Sequence, residues 1–267
     1  MKPVDFSAFV EDLARVSGEA ILPFFRSSIH STDKSKGGVF DPVTEADRAA
    51  ETAMRRLIMR DFPSHGIIGE EFGAHAADSE YVWVLDPIDG TKSFISGFPT
   101  WGTLIGLTHK GTPCYGMMHQ PFTREAFIGD GAGAIWRGAG RNGDKSERKL
   151  MTRKCASLNE ATLLTTHPAL LAEGTLEPYR RVEEKVRLSR YGGDCYMYCM
   201  LASGHIDLVI ESGLNAYDIV ALIPIIEGAG GVITSWDGGS AANGGAIIAA
   251  GDKRVHEEAM KLLAAAR

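Results

Sequence analysis

Two carboxylates stand three residues apart, directly after an apolar run, in the segment Trp83-Val84-Leu85-Asp86-Pro87-Ile88-Asp89-Gly90-Thr91-Lys92-Ser93-Phe94. Because Pro87 disfavours helical geometry at the residue before it, the predicted strand stays extended up to Asp86. Asp89 and Gly90 then predict a tight turn, since glycine tolerates positive φ. A short helix is predicted from Thr91, and the free N–H groups at a helix start bind anions. The segment therefore offers the oxygen ligands that Mg²⁺ prefers beside a phosphate cradle, although the same residues are common in any strand-to-helix turn.

The composition is that of an ordinary globular protein. With 267 residues, 44% of them hydrophobic and 23% charged, the chain predicts a single domain over 1–267, with two lobes divided at about 145–158. A formal net charge of −6 disfavours a nucleic-acid partner or an anionic membrane surface. The longest apolar run, Ile219–Ile226, is too short to cross a bilayer. The four cysteines lack zinc-site spacing and the N-terminus lacks an apolar signal core, so we expect a reduced, cytoplasmic setting.

The periodicity of apolar residues predicts a layered α+β protein of the broad α/β class. Two helices come first, a mostly antiparallel sheet follows, and strands alternate with helices in the second half, as in sheets covered by helices. Residues 140–149 are predicted as a charged loop. Pro224 lies inside the helical pattern Ala216–Gly228, where a proline costs about 3 kcal/mol. We therefore expect a kink there, or a helix that breaks and restarts.

Further acids fall at positions similar to those of Asp86 and Asp89. Glu70 ends a short predicted strand, and Asp218 stands at the start of a predicted helix. Each has a local alternative: Glu70 as a solvated loop acid, Asp218 as a helix N-cap, and Asp47 as the second member of a capping box with Thr44. Carboxylates at strand ends and helix starts converge readily on one edge of a sheet, so the joint pattern predicts an acidic site.

Four motifs together resemble the inositol monophosphatase superfamily of Mg²⁺-dependent, lithium-sensitive phosphomonoesterases. They are Asp41-Pro42-Val43-Thr44-Glu45-Ala46-Asp47, Ile68-Gly69-Glu70-Glu71, the 83–94 segment, and Ala216-Tyr217-Asp218-Ile219 followed by Glu227-Gly228-Ala229-Gly230-Gly231. The resemblance implies an α/β/α/β/α sandwich, a homodimer, and two or three bound Mg²⁺ ions, with Mn²⁺ as an alternative.

The resemblance also assigns roles to residues. Its metal ligands match Glu70, Asp86, Asp89, Asp218 and the backbone carbonyl of Ile88. Its catalytic residues match Thr91, which orients the attacking water, Asp47, which holds Thr91, and Glu70, which takes the proton. The phosphate is implied to bind the N–H groups of Gly90 and Thr91, and Lys36 matches the family's loop lysine near the metals. For Asp47 the resemblance thus favours a catalytic role over the capping box.

Within the superfamily, the chain is most similar to the histidinol-phosphate phosphatase branch. The motifs behind this are 93–103, Arg190-Tyr191-Gly192-Gly193-Asp194-Cys195-Tyr196, 204–209, and the run 221–227 with its misfit Pro224. L-Histidinol phosphate carries an ammonium and an imidazole, so its pocket should hold carboxylates or aromatic faces. The implied substrate contacts are Gly90, Thr91, Gly192, Gly193, Asp194, Glu211 and Asp218. Trp101 and Tyr191 offer ring faces, or belong to the core.

Three functions follow from this pattern. The first is hydrolysis of L-histidinol phosphate in histidine biosynthesis. The second is hydrolysis of inositol 1-phosphate, or of sugar and nucleotide phosphates more broadly. The third, a binding module without activity, predicts damaged metal ligands, whereas Glu70, Asp86, Asp89, Thr91 and Asp218 are all intact.

Overall fold

The computed structural model describes residues 6–27, 31–33, 42–140 and 143–264, and Lys36 lies outside them. In the described residues the helices are α1 Ser7–Ile21, α2 Glu45–Asp61, α3 Thr91–Ile95, α4 Leu176–Glu183, α5 Asp194–Ala202, α6 Ala216–Ile219, α7 Leu222–Gly228 and α8 Lys253–Ala264. The strands are β1 Ser31–Asp33, β2 Pro42–Thr44, β3 Gly66–Gly69, β4 Gly73–His75, β5 Tyr81–Asp89, β6 Gly102–His109, β7 Thr112–Gln120, β8 Glu125–Gly129, β9 Ala134–Ala139, β10 Lys145–Lys149, β11 Thr162–Thr165, β12 Leu188–Tyr191, β13 Leu208–Leu214, β14 Val232–Ser235 and β15 Gly245–Ala250.

Helices and sheets alternate in five layers, which confirms the α/β/α/β/α architecture. The first sheet has the strand order β10-β9-β8-β7-β6-β5-β3-β4, and the second has the order β12-β11-β13-β15-β14. Helices α1 and α2 pack on the first sheet, α5, α6 and α7 lie between the sheets, and α8 packs on the second sheet together with α4. The inner layer therefore joins the two sheets, and the segment that carries Asp218 belongs to it.

A row of glycines lets this inner layer approach the first sheet. Gly106, Gly116 and Gly129 are cross-strand neighbours on β6, β7 and β8. A Cβ at Gly116 would lie 1.9 Å from the carbonyl oxygen of Ala221, and one at Gly129 would lie 2.3 Å from that of Pro224. The chain from α6 to α7 thus packs directly on the backbone of the first sheet, and the glycine row sets the distance between them.

The proline inside this segment behaves as expected. The helical pattern breaks after Ile219 and restarts at Leu222, so Pro224 is the third residue of α7. The first N–H groups of a helix have no partner within it, so a proline there removes no hydrogen bond. Its carbonyl also accepts a hydrogen bond from the N–H of Gly131. The prediction of a helix that breaks and restarts is confirmed.

The charged loop predicted over residues 140–149 is wrong for its second half. Residues Lys145–Lys149 form β10, which pairs antiparallel with β9 at the edge of the first sheet. Arg137 faces Glu147 across the pair with 2.6 Å between Nε and Oε2, and the Arg148 guanidinium lies 4.7 Å from the centre of the Trp136 ring. Cross-strand pairs of this kind stabilise a strand whose composition alone indicates a loop.

None of the helices in the described ranges combines the length and the apolar character needed to cross a bilayer.

Candidate active site

A β-bulge brings the two acids of the 83–94 segment to one place. Strand β5 pairs with β6 in register up to Asp86 opposite Leu104, and the next pair is Asp89 opposite Gly102. Three residue steps on β5 thus lie opposite two steps on β6, so β5 has one extra residue here. On a regular strand, side chains three residues apart point to opposite faces. The extra residue lets both acids reach one cluster. Pro87 suits the bulge because it has no N–H to offer a neighbouring strand. Its carbonyl accepts a hydrogen bond from the Thr103 hydroxyl at 2.8 Å.

Three acids meet at this bulge. Asp86, Asp89 and Asp218 each offer one carboxylate oxygen, and these oxygens lie within 4.8 Å of one another. Asp218 arrives from α6, more than a hundred residues along the chain, because the glycine row brings that segment down onto the sheet. Glu70 lies in the lining of the same cavity. The structure therefore brings together all four acids named from the sequence.

The crowding of these carboxylates destabilises their charged forms when no counter-charge is bound. Burial, and then the charges of Glu70, Asp89 and Asp218, raise the pKa of Asp86 well above its usual value. Burial and the charge of Asp218 do the same to the pKa of Asp89, and burial raises the pKa of Asp218 to about 6. Oδ1 of Asp86 is buried and has no hydrogen-bond partner among the described residues. An unpartnered acceptor amid crowded carboxylates fits a hard divalent cation, which would satisfy both features.

Backbone N–H groups hold two of these acids in place. The N–H of Cys195 donates to Oδ2 of Asp89 at 2.7 Å, and the N–H of Asn215 donates to Oδ2 of Asp218 at 2.7 Å. Asn215 is the N-cap of α6 and forms a capping box with Asp218, the third residue of the helix. The interpretation of Asp218 as the N-cap itself is therefore wrong by three residues. Each acid is anchored through one oxygen.

The turn after β5 enters helix α3 through a glycine with left-handed backbone geometry. Gly90 has φ of 86° and is the N-cap of α3, so Thr91 is the first helical residue and its hydroxyl is not the cap. That hydroxyl instead donates to the carbonyl of Ile88 at 3.2 Å. A Cβ at Gly90 would lie 2.8 Å from the Asp194 side chain, so only glycine fits. Gly90 and Thr91 line the cavity that the acids share.

Asp47 approaches the cluster from α2. It is the third residue of that helix and only 2% exposed, and its charge contributes to the raised pKa of Asp86. Its predicted hydrogen bond to Thr91 stays a prediction, as does the capping box with Thr44.

A cavity of about 360 Å³ opens from the acidic cluster towards the second sheet. Of the predicted site residues, its lining includes Glu70, Asp86, Ile88, Asp89, Gly90, Thr91, Asp194, Glu211 and Asp218. Within the described part of the chain, Asp47, Gly192 and Gly193 are not in the lining. Gly192 is exposed, its N–H donates to the carbonyls of Thr165 and Thr166, and Gly193 is the N-cap of α5. Their roles as substrate contacts stay predictions.

Glu211, on strand β13 of the second sheet, also lines the cavity. It is 7% exposed, and it accepts hydrogen bonds from the N–H of Thr166 at 3.1 Å and from the hydroxyl of Tyr198 at 2.9 Å. Burial raises the pKa of Glu211 to about 7. This carboxylate therefore changes charge near neutral pH.

Asp194 differs from Glu211 in how it is held. Its Oδ2 accepts from the Ser93 hydroxyl at 2.6 Å and from the Thr100 hydroxyl at 3.4 Å. Burial raises the pKa of Asp194, and its φ of 43° is one that few residues other than glycine adopt. The side chain thus ties the start of α5 to α3.

Neither of the two proposed ring faces lines the cavity in the described structure. Trp101 is fully buried and packs with Phe25 and Phe94, so the core interpretation is correct for it. Tyr191 is 47% exposed, and its hydroxyl donates to Glu183 at 2.7 Å.

Sequence reasoning missed two residues that shape this site. Cys195 holds Asp89 through its N–H, and Tyr198 holds Glu211 through its hydroxyl. Tyr198 could have been found, because it lies four residues after Asp194 and therefore on the same face of α5. Cys195 acts through its backbone, which leaves no signature in the side chain.

A larger groove of about 890 Å³ runs between α1 and the outer strands of the first sheet. None of the predicted site residues is in its lining as described, and several of its charged residues pair with each other, as Arg137 does with Glu11. We therefore locate the chemistry in the smaller cavity.

Known proteins resemble this chain over nearly all of its length. The model of the inositol monophosphatase family matches residues 3–267. The bifunctional phosphatase IMPL2 of Arabidopsis thaliana, named as chloroplastic, is 45% identical over 97% of this chain and 75% of its own length. A histidinol-phosphatase of Mycobacterium tuberculosis is 34% identical over 83% of this chain and 84% of its own length. The solved structure of an inositol monophosphatase from Zymomonas mobilis has a TM-score of 0.83 and 37% identity, covering 97% of this chain and 99% of that one.

These matches agree with the site described above. Both the sequence comparison and the fold comparison extend through the acidic cluster and the strands that carry it. The chain therefore belongs to the inositol monophosphatase family of phosphatases.

Proposed function

We propose that this protein is a Mg²⁺-dependent phosphomonoesterase that hydrolyses L-histidinol phosphate to L-histidinol and phosphate, as in histidine biosynthesis. One observation carries the proposal: a single cavity has a crowded acidic cluster beside the Gly90–Thr91 turn at one end and the buried carboxylate of Glu211 at the other. The first end suits a phosphate with its cations, and the second suits an ammonium group.

The residues that would hold Mg²⁺ are Glu70, Asp86, Asp89, Asp218 and the carbonyl of Ile88. When bound, two or three Mg²⁺ or Mn²⁺ ions would neutralise phosphate charge, acidify a water and stabilise the leaving oxygen. This family chemistry addresses one of the slowest uncatalysed reactions, for which accelerations reach about 10²¹-fold.

The chain's own groups position the reactants. The N–H groups of Gly90 and Thr91 bind the phosphate oxygens. The Thr91 hydroxyl has one hydrogen, which it donates to the Ile88 carbonyl in this structure and would donate to Asp47 in the proposed active arrangement; in both cases the hydroxyl oxygen accepts a hydrogen bond from the attacking water and orients it. Asp47 supports Thr91 from α2, and Glu70 takes the proton that the water loses.

The choice of ester rests on Glu211. Relatives with similar identity bear the names histidinol-phosphatase and inositol monophosphatase, so their names do not separate the two substrates. An ionised Glu211 pairs with a cationic amine, whereas a protonated Glu211 exchanges hydrogen bonds with a polyol. That second property favours inositol 1-phosphate as the alternative substrate, together with other sugar phosphates.

A phosphate-release assay with Mg²⁺ over a small panel of phosphomonoesters tests this function. We expect kcat/KM for L-histidinol phosphate to exceed that for inositol 1-phosphate by about tenfold or more, because a buried carboxylate discriminates between a cation and a neutral hydroxyl. The reverse order would support the alternative substrate. No release from any ester would contradict the phosphomonoesterase itself.

Glu211→Gln should change specificity. At pH 8 we expect KM for L-histidinol phosphate to rise about 10- to 100-fold, since a hydrogen bond to a charged group is lost, while KM for inositol 1-phosphate changes about threefold at most. Because the pKa of Glu211 is about 7, the advantage of the parent protein over the variant should grow as the pH rises from 6 to 8. The comparison with the variant at each pH cancels the titration of the substrate itself.

The matched control for this variant is Glu183→Gln. Glu183 also accepts a hydrogen bond from a tyrosine hydroxyl, at 2.9 Å from Tyr179, but it is not in the described lining of the cavity. It should leave both KM values unchanged. Equal losses for both esters in Glu211→Gln would remove the argument for a cationic substrate.

Asp194→Ala should weaken both esters alike. Because Oδ2 of Asp194 accepts two hydroxyls, one of them from Ser93 on α3, its loss loosens the phosphate-binding turn, which both esters use. We expect KM to rise about three- to tenfold for each ester, the cost of about one hydrogen bond. A loss confined to L-histidinol phosphate would instead indicate that Asp194 binds the ammonium group.

The proposal includes a cytoplasmic homodimer. All four cysteines are free thiols, which suits a reducing compartment. Sedimentation velocity on the purified protein measures the oligomeric state, and a monomer at micromolar concentration would contradict the dimer.

A further inference from the structure

A buried charged pair on α2 lies beside the loop that carries Glu70. The side chain of Glu51 is fully buried and that of Arg55 is 10% exposed, with 2.7 Å between Nε of Arg55 and Oε1 of Glu51. The two residues are one helical turn apart, on the same stripe of α2 as Asp47. Neither residue belongs to the proposed catalytic or substrate-binding groups.

The pair binds the backbone that follows Glu70 and packs closely against the residue before it. Oε2 of Glu51 accepts from the N–H of Glu71 at 2.8 Å, and Oε1 accepts from the N–H of Phe72 at 3.3 Å. Arg55 donates through Nη2 to the carbonyl of Gly73. On the other side of Glu70, a Cβ at Gly69 would lie 2.0 Å from Oε1 of Glu51. The loop from 69 to 73 therefore packs around the carboxylate of Glu51.

The same loop is tied to the strand that bears Asp86. The N–H of Glu70 donates to the carbonyl of Leu85, the residue before Asp86, at 3.2 Å. The charge of Glu70 is the largest charge contribution acting on Asp86. The distance between these two acids therefore depends on where the loop sits, and the loop sits where Glu51 holds it.

Stability alone gives little reason for a charged pair at this position. A buried ion pair is often no more stabilising than apolar residues of the same volume, because the desolvation of both charges offsets their attraction. A carboxylate, however, offers acceptors to two backbone N–H groups and an arginine at once, as no apolar or amide side chain does. The geometry points to a fixed loop.

We propose that Glu51, braced by Arg55, is a positioning residue that holds Glu70 at its distance from Asp86 and thereby sets the affinity of the acidic cluster for divalent cations. This inference rests on the proposed metal-dependent function. Glu51 itself is not in the described lining of the cavity.

The test is Mn²⁺ binding to the metal-free protein without any ester, measured by electron paramagnetic resonance of free Mn²⁺. We expect Glu51→Gln to weaken Mn²⁺ binding about 10- to 100-fold, since groups that orient metal ligands have effects of this size. The glutamine amide would place a donor against the N–H of Glu71 or against Arg55, so the loop shifts. In turnover assays kcat should fall, while KM for the ester at saturating metal stays close to that of the parent.

Asp207→Asn is the matched control. Asp207 is 2% exposed, pairs with Arg153 at 2.6 Å, and accepts from the N–H of Thr162 at 2.8 Å, but it is not in the described lining of the cavity. Both variants should lower the melting temperature by several degrees, because each disturbs a buried carboxylate. Only Glu51→Gln should weaken Mn²⁺ binding.

Unchanged Mn²⁺ affinity in a folded Glu51→Gln, or an equal loss in Asp207→Asn, would overturn the positioning role. If Glu51→Gln does not fold, Arg55→Lys decides the matter, because it keeps the charge but cannot bridge Glu51 and Gly73. It should weaken Mn²⁺ binding about two- to fivefold, and an unchanged affinity overturns the role. A parent protein that binds no Mn²⁺ would contradict the proposed function itself, which is a different result from a variant that binds like the parent.

Discussion

Asp86→Asn is expected to lower kcat about 10³-fold or more and, in the metal-free protein, to raise the melting temperature. The loss of turnover follows from the removal of a central oxygen ligand, since charge stabilisation by a metal is worth several kcal/mol. The gain in stability follows from the cluster itself, where Asp86 is 2% exposed and faces the charges of Glu70, Asp89 and Asp218. The two effects have opposite signs, which unfolding cannot produce.

The stability effect of Asp86→Asn should depend on pH with a definite sign. Because the pKa of Asp86 is raised in the folded protein, the folded state binds the proton more tightly than the unfolded chain does. Stability is therefore lost as the pH rises above the unfolded value, and the asparagine removes this loss. Calorimetry in EDTA should show little gain near pH 4 and a gain of about 4 °C or more near pH 8. A lower melting temperature at pH 8 would contradict the crowded cluster.

Thr91→Ala gives the control for the activity of this variant. It should also lower kcat, by about 10²- to 10³-fold, because the attacking water loses the group that orients it. Its Mn²⁺ affinity should stay near that of the parent, since Thr91 contributes no charged ligand, whereas Asp86→Asn should bind Mn²⁺ weakly. Substantial turnover in either variant would contradict the mechanism.

Gly116→Ala is expected to destabilise the protein strongly, although it adds only one methyl group. The new Cβ would lie 1.9 Å from the Ala221 carbonyl oxygen and 2.7 Å from its carbon, and backbone atoms cannot rotate away as a side chain can. The inner helical layer must therefore lift from the sheet. Overpacking of this kind costs about 3 kcal/mol or more, which lowers the melting temperature by about 6 to 12 °C in a chain of this size.

Gly116→Ala should also weaken metal binding, although Gly116 is not in the described lining of the cavity. Ala221 lies three residues after Asp218, so lifting this segment moves Asp218 away from Asp86. Mn²⁺ binding should weaken even at temperatures where the variant is folded. The control is Gly133→Ala, whose Cβ would meet nothing within 4 Å and whose φ is not in the left-handed region. Its melting temperature should stay within about 2 °C of the parent. Equal stability of the two variants would refute the role of the glycine row.

Local sequence was enough to predict the acidic turn, the break at Pro224 and the layered fold. The charged strand β10 was missed, because its residues are those of a loop and only pairing with β9 orders them. Asp194 and Glu211 were both named as substrate contacts, and their sequence positions alone did not separate them. In the structure both acids line the cavity, but they are held differently: one oxygen of Asp194 accepts from two hydroxyls, whereas Glu211 accepts one hydrogen bond on each oxygen.

The sequence by itself determined which residue types are available: the acids, the glycine and the threonine of a phosphate-processing turn. Each lies in a short motif, and neighbouring residues in that motif restrict its backbone angles. Only the tertiary structure decided how they meet. The bulge in β5 turns Asp86 and Asp89 to one side, the glycine row lowers Asp218 onto them, and Glu51 holds the loop of Glu70. These distances join residues up to about 150 positions apart, so they depend on how whole layers pack, and no local pattern of side chains encodes that.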